Sequence, residues 1–124
     1  MAFPGTYNIT YYKGDTLEFR IYPKDATGAV FDLTDYGNAT FKIATERGAG
    51  GVAGQITGFA QIHSSNTYLT CAITPDNGDD MSAGTTYVYD VQIRKVGTPY
   101  DFIYTLLTGT ITVTDEVTQG IGEV

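Results

Sequence analysis

Tryptophan is absent from this 124-residue chain, and cysteine and histidine occur once each, as Cys71 and His63. A single cysteine excludes an internal disulfide framework and a cysteine-based zinc site. A single histidine leaves a general base without companions, and a catalytic metal centre usually needs several His or carboxylate ligands. Basic residues are scarce as well: 7 Lys and Arg stand against 14 Asp and Glu, for a net charge of -7 and an isoelectric point near 4.3. Nucleic-acid phosphates and anionic lipid both select clustered Lys and Arg, so neither is an expected partner. No stretch approaches the roughly 20 apolar residues of a membrane span. The opening "MAFPGTYNITYYKGD" has no basic start followed by an apolar run. The expectation is a chain made and folded in a cytoplasm, without a cleaved export signal.

What is present is apolar and aromatic. Hydrophobic residues make up 42%, with 10 Tyr and 6 Phe, while charged residues make up only 17%, the balance of a globular chain rather than a disordered one. The length suits one domain spanning residues 1–124, large enough to bury a core without staples. Period-two alternation runs through most of it. "TLEFRIY" sets Leu17, Phe19 and Ile21 against Glu18 and Arg20, and "ATFKIAT" sets Phe41 and Ile43 around Lys42. "TYLTCAIT" places Leu69, Cys71 and Ile73 on one face, and "TTYVYDVQIRK" puts Tyr87, Tyr89, Val91 and Ile93 opposite Asp90, Gln92 and Arg94. "TGTITVTD" closes the set with Ile111 and Val113, and "YNITYY", "GQITGFAQIH" and "DFIYTLL" read as weaker strands. The predicted core is Phe19, Ile21, Phe41, Ile43, Ile73, Tyr89, Val91, Ile111 and Val113. Turn-rich segments punctuate the strands at intervals of roughly eight to twelve residues, the rhythm of an all-β sandwich or barrel. Helix is confined to a single turn around Asp79 to Ala83.

Four features invite a chemical reading. In "ERGAGGVAGQITG", Gly48, Gly50 and Ala53 satisfy the loosest dinucleotide-binding fingerprint. That motif works only where a helix follows and aims its N–H groups at a pyrophosphate, whereas "GQITGFAQIH" is β-prone and the Lys-Ser/Thr ending of a P-loop is missing. The expectation is a long hairpin loop at residues 46–58. Cys71 and His63 form the one conceivable Cys-His pair, but a cysteine among core-facing residues behaves as an inert small hydrophobe. "PDNGDD" collects Asp76, Asp79 and Asp80 beside Asn77 without EF-hand spacing, so it reads as a turn with solvated carboxylates. Tyr87 and Tyr89 read as sheet residues rather than a sugar-stacking face. No catalytic, cofactor-binding or metal-binding residue is assigned, and no cofactor is expected.

Three segments together carry a resemblance. "YYKGDTLEFRIYPKDATGAVFDLTDYGNATFKIAT" runs through a Gly-Asp turn, an alternating strand, a turn with Asp and Gly, Asp-Leu-Thr, and a second alternating strand; "AGTTYVYDVQI" and "TLLTGTITVTDEVT" follow late in the chain. The combination resembles the β-sandwich domains of bacteriophage virion proteins, notably the N-terminal domain of siphophage baseplate upper proteins. The glycine loop is longer than that family's pattern. The fold class expected is a two-layer antiparallel β-sandwich, Ig-like, of seven to eight strands. The resemblance implies a non-enzymatic virion subunit, associated with the tail or baseplate or decorating the capsid. Its partners would be other virion proteins and copies of itself, met through edge strands and loops. Within residues 46–58, Gly48, Gly50, Gly51, Val52, Gly54 and Ile56 are the candidate contact positions, with Val52 and Ile56 supplying the apolar contact. The alternative from a different class is a carbohydrate-binding or adhesin-like module, with exposed tyrosines such as Tyr100 and Tyr104 stacking on a glycan.

Overall fold

The computed structural model describes residues 4–45 and 55–115. Its strands are β1 (Gly5–Thr6), β2 (Ile9–Tyr12), β3 (Leu17–Ile21), β4 (Asn38–Ala44), β5 (Ile56–Thr57), β6 (Phe59–Ile62), β7 (Leu69–Ile73), β8 (Thr86–Lys95) and β9 (Phe102–Thr114), with one short helix, α1 (Pro75–Asp79), between β7 and β8. They form two sheets. One runs β1-β9-β8-β4-β5 with β2 also on β9, and the other runs β3-β7-β6. The alternating faces predict this arrangement, because each sheet has one apolar side to bury and the two sides meet.

Nine strands among the described residues exceed the seven to eight expected, and the difference lies in two interruptions. β1 and β2 pair with β9 in one continuous register, Gly5 with Leu107 through to Tyr12 with Thr114. β5 and β6 are likewise a single extended length that breaks at Gly58 and changes sheets there. A Cβ on Gly58 would stand 2.5 Å from the Phe41 ring, so only glycine lets the backbone cross at that point. The N-terminal ribbon pairs with β9 in parallel, where an all-antiparallel sandwich was expected. A parallel neighbour needs a long crossover, and here nearly the whole chain lies between the two strands.

The strand order identifies the sandwich type. β3-β7-β6 faces β9-β8-β4-β5, which is the B-E-D against G-F-C-C′ arrangement of immunoglobulin-like domains. Tyr87, near the start of β8, accepts a hydrogen bond from the Ser82 backbone N–H at 2.8 Å, in the manner of the tyrosine corner of that fold. Antibody domains join strands B and F by a disulfide over a buried Trp on strand C. This chain puts three rings there instead. Phe19 on β3, Phe41 on β4 and Tyr89 on β8 meet edge to face, with centroids 5.7 Å apart for Phe19 and Phe41, 5.4 Å for Phe41 and Tyr89, and 6.5 Å for Phe19 and Tyr89. Such pairs add to the burial of the rings themselves, which supports a sandwich that has no internal crosslink.

Seven of the nine predicted core residues, Phe41, Ile43, Ile73, Tyr89, Val91, Ile111 and Val113, are buried. Phe19 and Ile21 are only half-buried against that core. The physical reason is position: β3 is an edge of the smaller sheet, so its inward side chains lack a neighbour on one flank. The residues read as two late strands, "DFIYTLL" and "TGTITVTD", form the single strand β9. Its register against β8 slips between Val91 and Gln92, where Leu107 faces Val91 and Thr105 faces Gln92, leaving Leu106 as the extra residue. A bulge reverses the alternation, so Tyr104 and Ile111 reach the same core from opposite parities. The single helical turn lies upstream of the expected position. Thr74 caps it, with its Oγ1 accepting from the Asn77 N–H and the Asn77 side chain accepting from the Thr74 N–H, and Pro75 opens the first turn.

Candidate functional site

At the end of the sandwich where β4 begins and β8 finishes, the β3–β4 connection and the β8–β9 hairpin come together. The sequence builds this end from aromatics. Phe31 and Tyr36 from the first connection pack on Tyr104 of β9 at centroid separations of 6.1 and 6.3 Å, and on each other at 5.7 Å. Lys95 Nζ stands over the rings of Tyr36 and Phe102, 5.1 and 4.8 Å from their centroids, a cation-π arrangement that ties the hairpin to the first connection. Leu33 is buried beneath, and its N–H donates to the Asn66 carbonyl at 2.9 Å, which adds the β6–β7 turn to the same end.

The hairpin tip is held rather than loose. Arg94 donates from Nε and a terminal nitrogen to one oxygen of Asp101, and the other oxygen of Asp101 accepts the Gly97 N–H at 3.3 Å. Those bonds, the arginine first, draw the Asp101 carboxyl below its ordinary pKa. Asp32 is likewise held low by the Thr34 hydroxyl and N–H, with Lys95 contributing. The Thr98–Pro99 bond is cis. On this frame Val96, Tyr100 and Ile103 are exposed, Val96 by 75% and Tyr100 by 64%.

Two hollows adjoin there. The larger, about 570 Å³, is lined by Asp35, Asn38, Arg94, Lys95, Thr98 and Phe102 among others. The smaller, about 300 Å³, lies on the outer face of the larger sheet, lined by Asn38, Thr40, Gln92, Arg94 and Ile103 among others. Asn38 and Arg94, which face each other in the β4–β8 register, belong to both. They make one groove that turns from the sheet face onto the loop end.

The sequence-derived candidates fall elsewhere or apart. Gly48, Gly50, Gly51, Val52 and Gly54 lie outside the described residues. Ile56 opposes Ile43 in β5 and packs, half-buried, against the chain's own core. The loop expected at 46–58 is corrected at its end, where Ile56–Thr57 form β5 and pair antiparallel with β4, Lys42 with Thr57 and Ile43 with Ile56, while residues 46–54 lie outside the described residues. Cys71 and His63 do not meet as a pair. Cys71 faces Ala60 across the β6–β7 ladder and is fully buried, and burial pushes its thiol up to about 12. His63 lies beyond the end of β6, stacked on Tyr68 at 4.4 Å, with Nδ1 accepting from the Ser65 N–H. In "PDNGDD", Asn77 is engaged in the helix cap and in a bond to the Thr57 carbonyl, while Asp76, Asp79 and Asp80 are exposed. Of the two tyrosines proposed for stacking, Tyr100 is exposed at the hairpin tip and Tyr104 is half-buried in the aromatic cluster. Sequence reasoning missed Asp35, Asn38, Arg94 and Lys95. The available signal was "VGTPYDFIY", a turn carrying three aromatics beside two cations.

No family model matches this chain, and no curated protein matches it. Among solved structures, AggA, the major subunit of aggregative adherence fimbriae type I from Escherichia coli, is similar at 10% identity and a TM-score of 0.32. The match covers 89% of this chain and 90% of that one. The immunoglobulin-like assignment rests on the strand order and register of the chain itself.

Proposed function

We propose that this chain is a non-enzymatic structural subunit of a bacteriophage virion, placed in the tail or baseplate or decorating the capsid, where it meets copies of itself and other virion proteins. Part of the support is the virion-protein resemblance of the sequence. The observation that carries the assembly role is the flank of the sandwich beside β3. That strand pairs with β7 alone among the described strands. Beside its free edge lies a hollow of about 420 Å³ lined by Tyr7, Phe19, Arg20, Ile21, Tyr22 and Leu107. Tyr7 and Tyr22 are 45% and 52% exposed. An edge strand with unpaired backbone groups and apolar side chains beside it suits a neighbour that adds a strand or packs a loop. The reading needs no cofactor, and the one thiol is buried away from solvent.

Mass spectrometry of purified virions should find the chain at many copies per particle. Tyr22→Lys should leave the isolated domain folded and lower its occupancy in virions, because a lysine on an edge opposes strand addition. Absence of the chain from purified particles would overturn the virion reading; full occupancy with Tyr22→Lys would overturn the β3 edge as the contact.

A further inference from the structure

The groove at the loop end has the chemistry of a carbohydrate site, and we propose that it binds a neutral oligosaccharide. The inference stands apart from the virion reading. A sugar ring offers an apolar C–H face and a rim of hydroxyls, so a protein that holds one presents an aromatic ring beside planar hydrogen-bonding side chains. The groove supplies both. Phe102 lines the larger hollow, with Tyr100 tilted against it at 5.5 Å and exposed. Asn38 and Arg94 line both hollows, and Asp35 and Gln92 line one each. Amide, guanidinium and carboxylate groups give donors and acceptors together, matching hydroxyls that are both.

Three further observations favour a neutral ligand of more than one ring. The cations are already answered: Arg94 is paired with Asp101, and Lys95 lies over two rings and near Asp32. Asp35 on the wall of the larger hollow and Asp101 beside it balance Arg94 and Lys95, so the groove carries no net positive charge to select an anion. The turn from sheet face to loop end joins two hollows, the larger within the size range of a small-molecule site and the smaller at its lower bound. The tip is preorganised by the Arg94–Asp101–Gly97 bonds, so little ordering is left to accompany binding.

The test is a glycan array of neutral and acidic bacterial-surface oligosaccharides, followed by amide NMR titration of the intact chain with the best neutral binder. The expected result is a neutral oligosaccharide whose shifts concentrate at residues 35–40, 92–94 and 96–103. Tyr100→Ala and Asn38→Ala should each weaken it by about tenfold, a loss equivalent to one good contact. Tyr22→Lys, at a residue that lines neither hollow, should bind normally. Retention of the fold in both groove variants, read from their amide spectra, separates a lost contact from a lost domain. The proposal is overturned if no neutral glycan binds at millimolar concentration, if acidic glycans bind in preference, or if Tyr100→Ala and Asn38→Ala bind as the parent does. A purified virion protein that protects the same amides while every glycan fails would assign the groove to a protein partner instead.

Discussion

At the scale of single residues, the centre of the sandwich is a set of rings where related folds place a crosslink. Phe41 is fully buried between Phe19 and Tyr89. Phe41→Ala should cost about 3 to 5 kcal/mol in denaturant unfolding, the range for removing a buried Phe. A loss below about 1 kcal/mol would mean that the ring cluster relaxes into the space. Cys71 gives a second prediction. Its thiol is buried with its pKa raised to about 12, so a thiol reagent at neutral pH should react only through opening of the smaller sheet. Modification should accelerate with denaturant in step with unfolding; fast modification of the native protein would contradict the placement of β7. Asp25 accepts from the Thr27 hydroxyl, the Thr27 N–H and the Ala29 N–H, which holds its carboxyl below the ordinary 3.8. A depressed native pKa contributes stability that is present above the unfolded value and is lost as pH falls through the native one. The melting temperature should therefore fall less steeply below about pH 4 in Asp25→Asn than in the parent.

At the scale of elements, the N-terminal ribbon depends on one glycine. A Cβ on Gly109 would stand 2.0 Å from the Tyr7 carbonyl oxygen, the same oxygen to which the Tyr89 hydroxyl donates at 2.5 Å. Burial raises the pKa of that hydroxyl, so it remains a donor across the working pH range. Gly109→Ala should push β1 away from β9 and destabilise by about 2 kcal/mol, the usual scale of overpacking. Hydrogen exchange should quicken at Tyr7 and Ile9 while Val91 and Ile93 stay protected. Uniform exchange across both sheets would show that the ribbon and the β8–β9 pair open as one unit. Most of the elements were legible in the alternation of β3, β4, β7 and β8, since a half-buried strand must alternate. The single β9 was not. Its bulge at Leu106 inverts the phase halfway along, and a change of phase is indistinguishable in sequence from the end of one strand and the start of another. The helix was displaced for a related reason: the cap formed by Thr74, Pro75 and Asn77 sits upstream of the Asp and Gly residues that attract notice.

For the whole molecule, charge sets how copies can meet. A net charge of -7 makes identical chains repel. Self-association through the β3 edge should then rest on backbone and apolar contacts, and added salt should strengthen it or leave it unchanged. Sedimentation at low and moderate ionic strength checks this. Dissociation by moderate salt would point to a basic partner on the acidic surface.

The sequence by itself determined that the chain is all-β, that it needs no disulfide, and which faces of its central strands turn inward, because those properties follow from local alternation and from residues that are absent. Only the tertiary structure decided which strands are edges, and so why Phe19 and Ile21 stay half-exposed while Phe41 is sealed. The same holds for the parallel seat of the N-terminal ribbon on β9. It also decided that Asn38, Arg94 and Phe102 line one hollow. Asn38 lies on a different strand from the other two, more than fifty residues away, and their meeting depends on strand order and register, which no local pattern records.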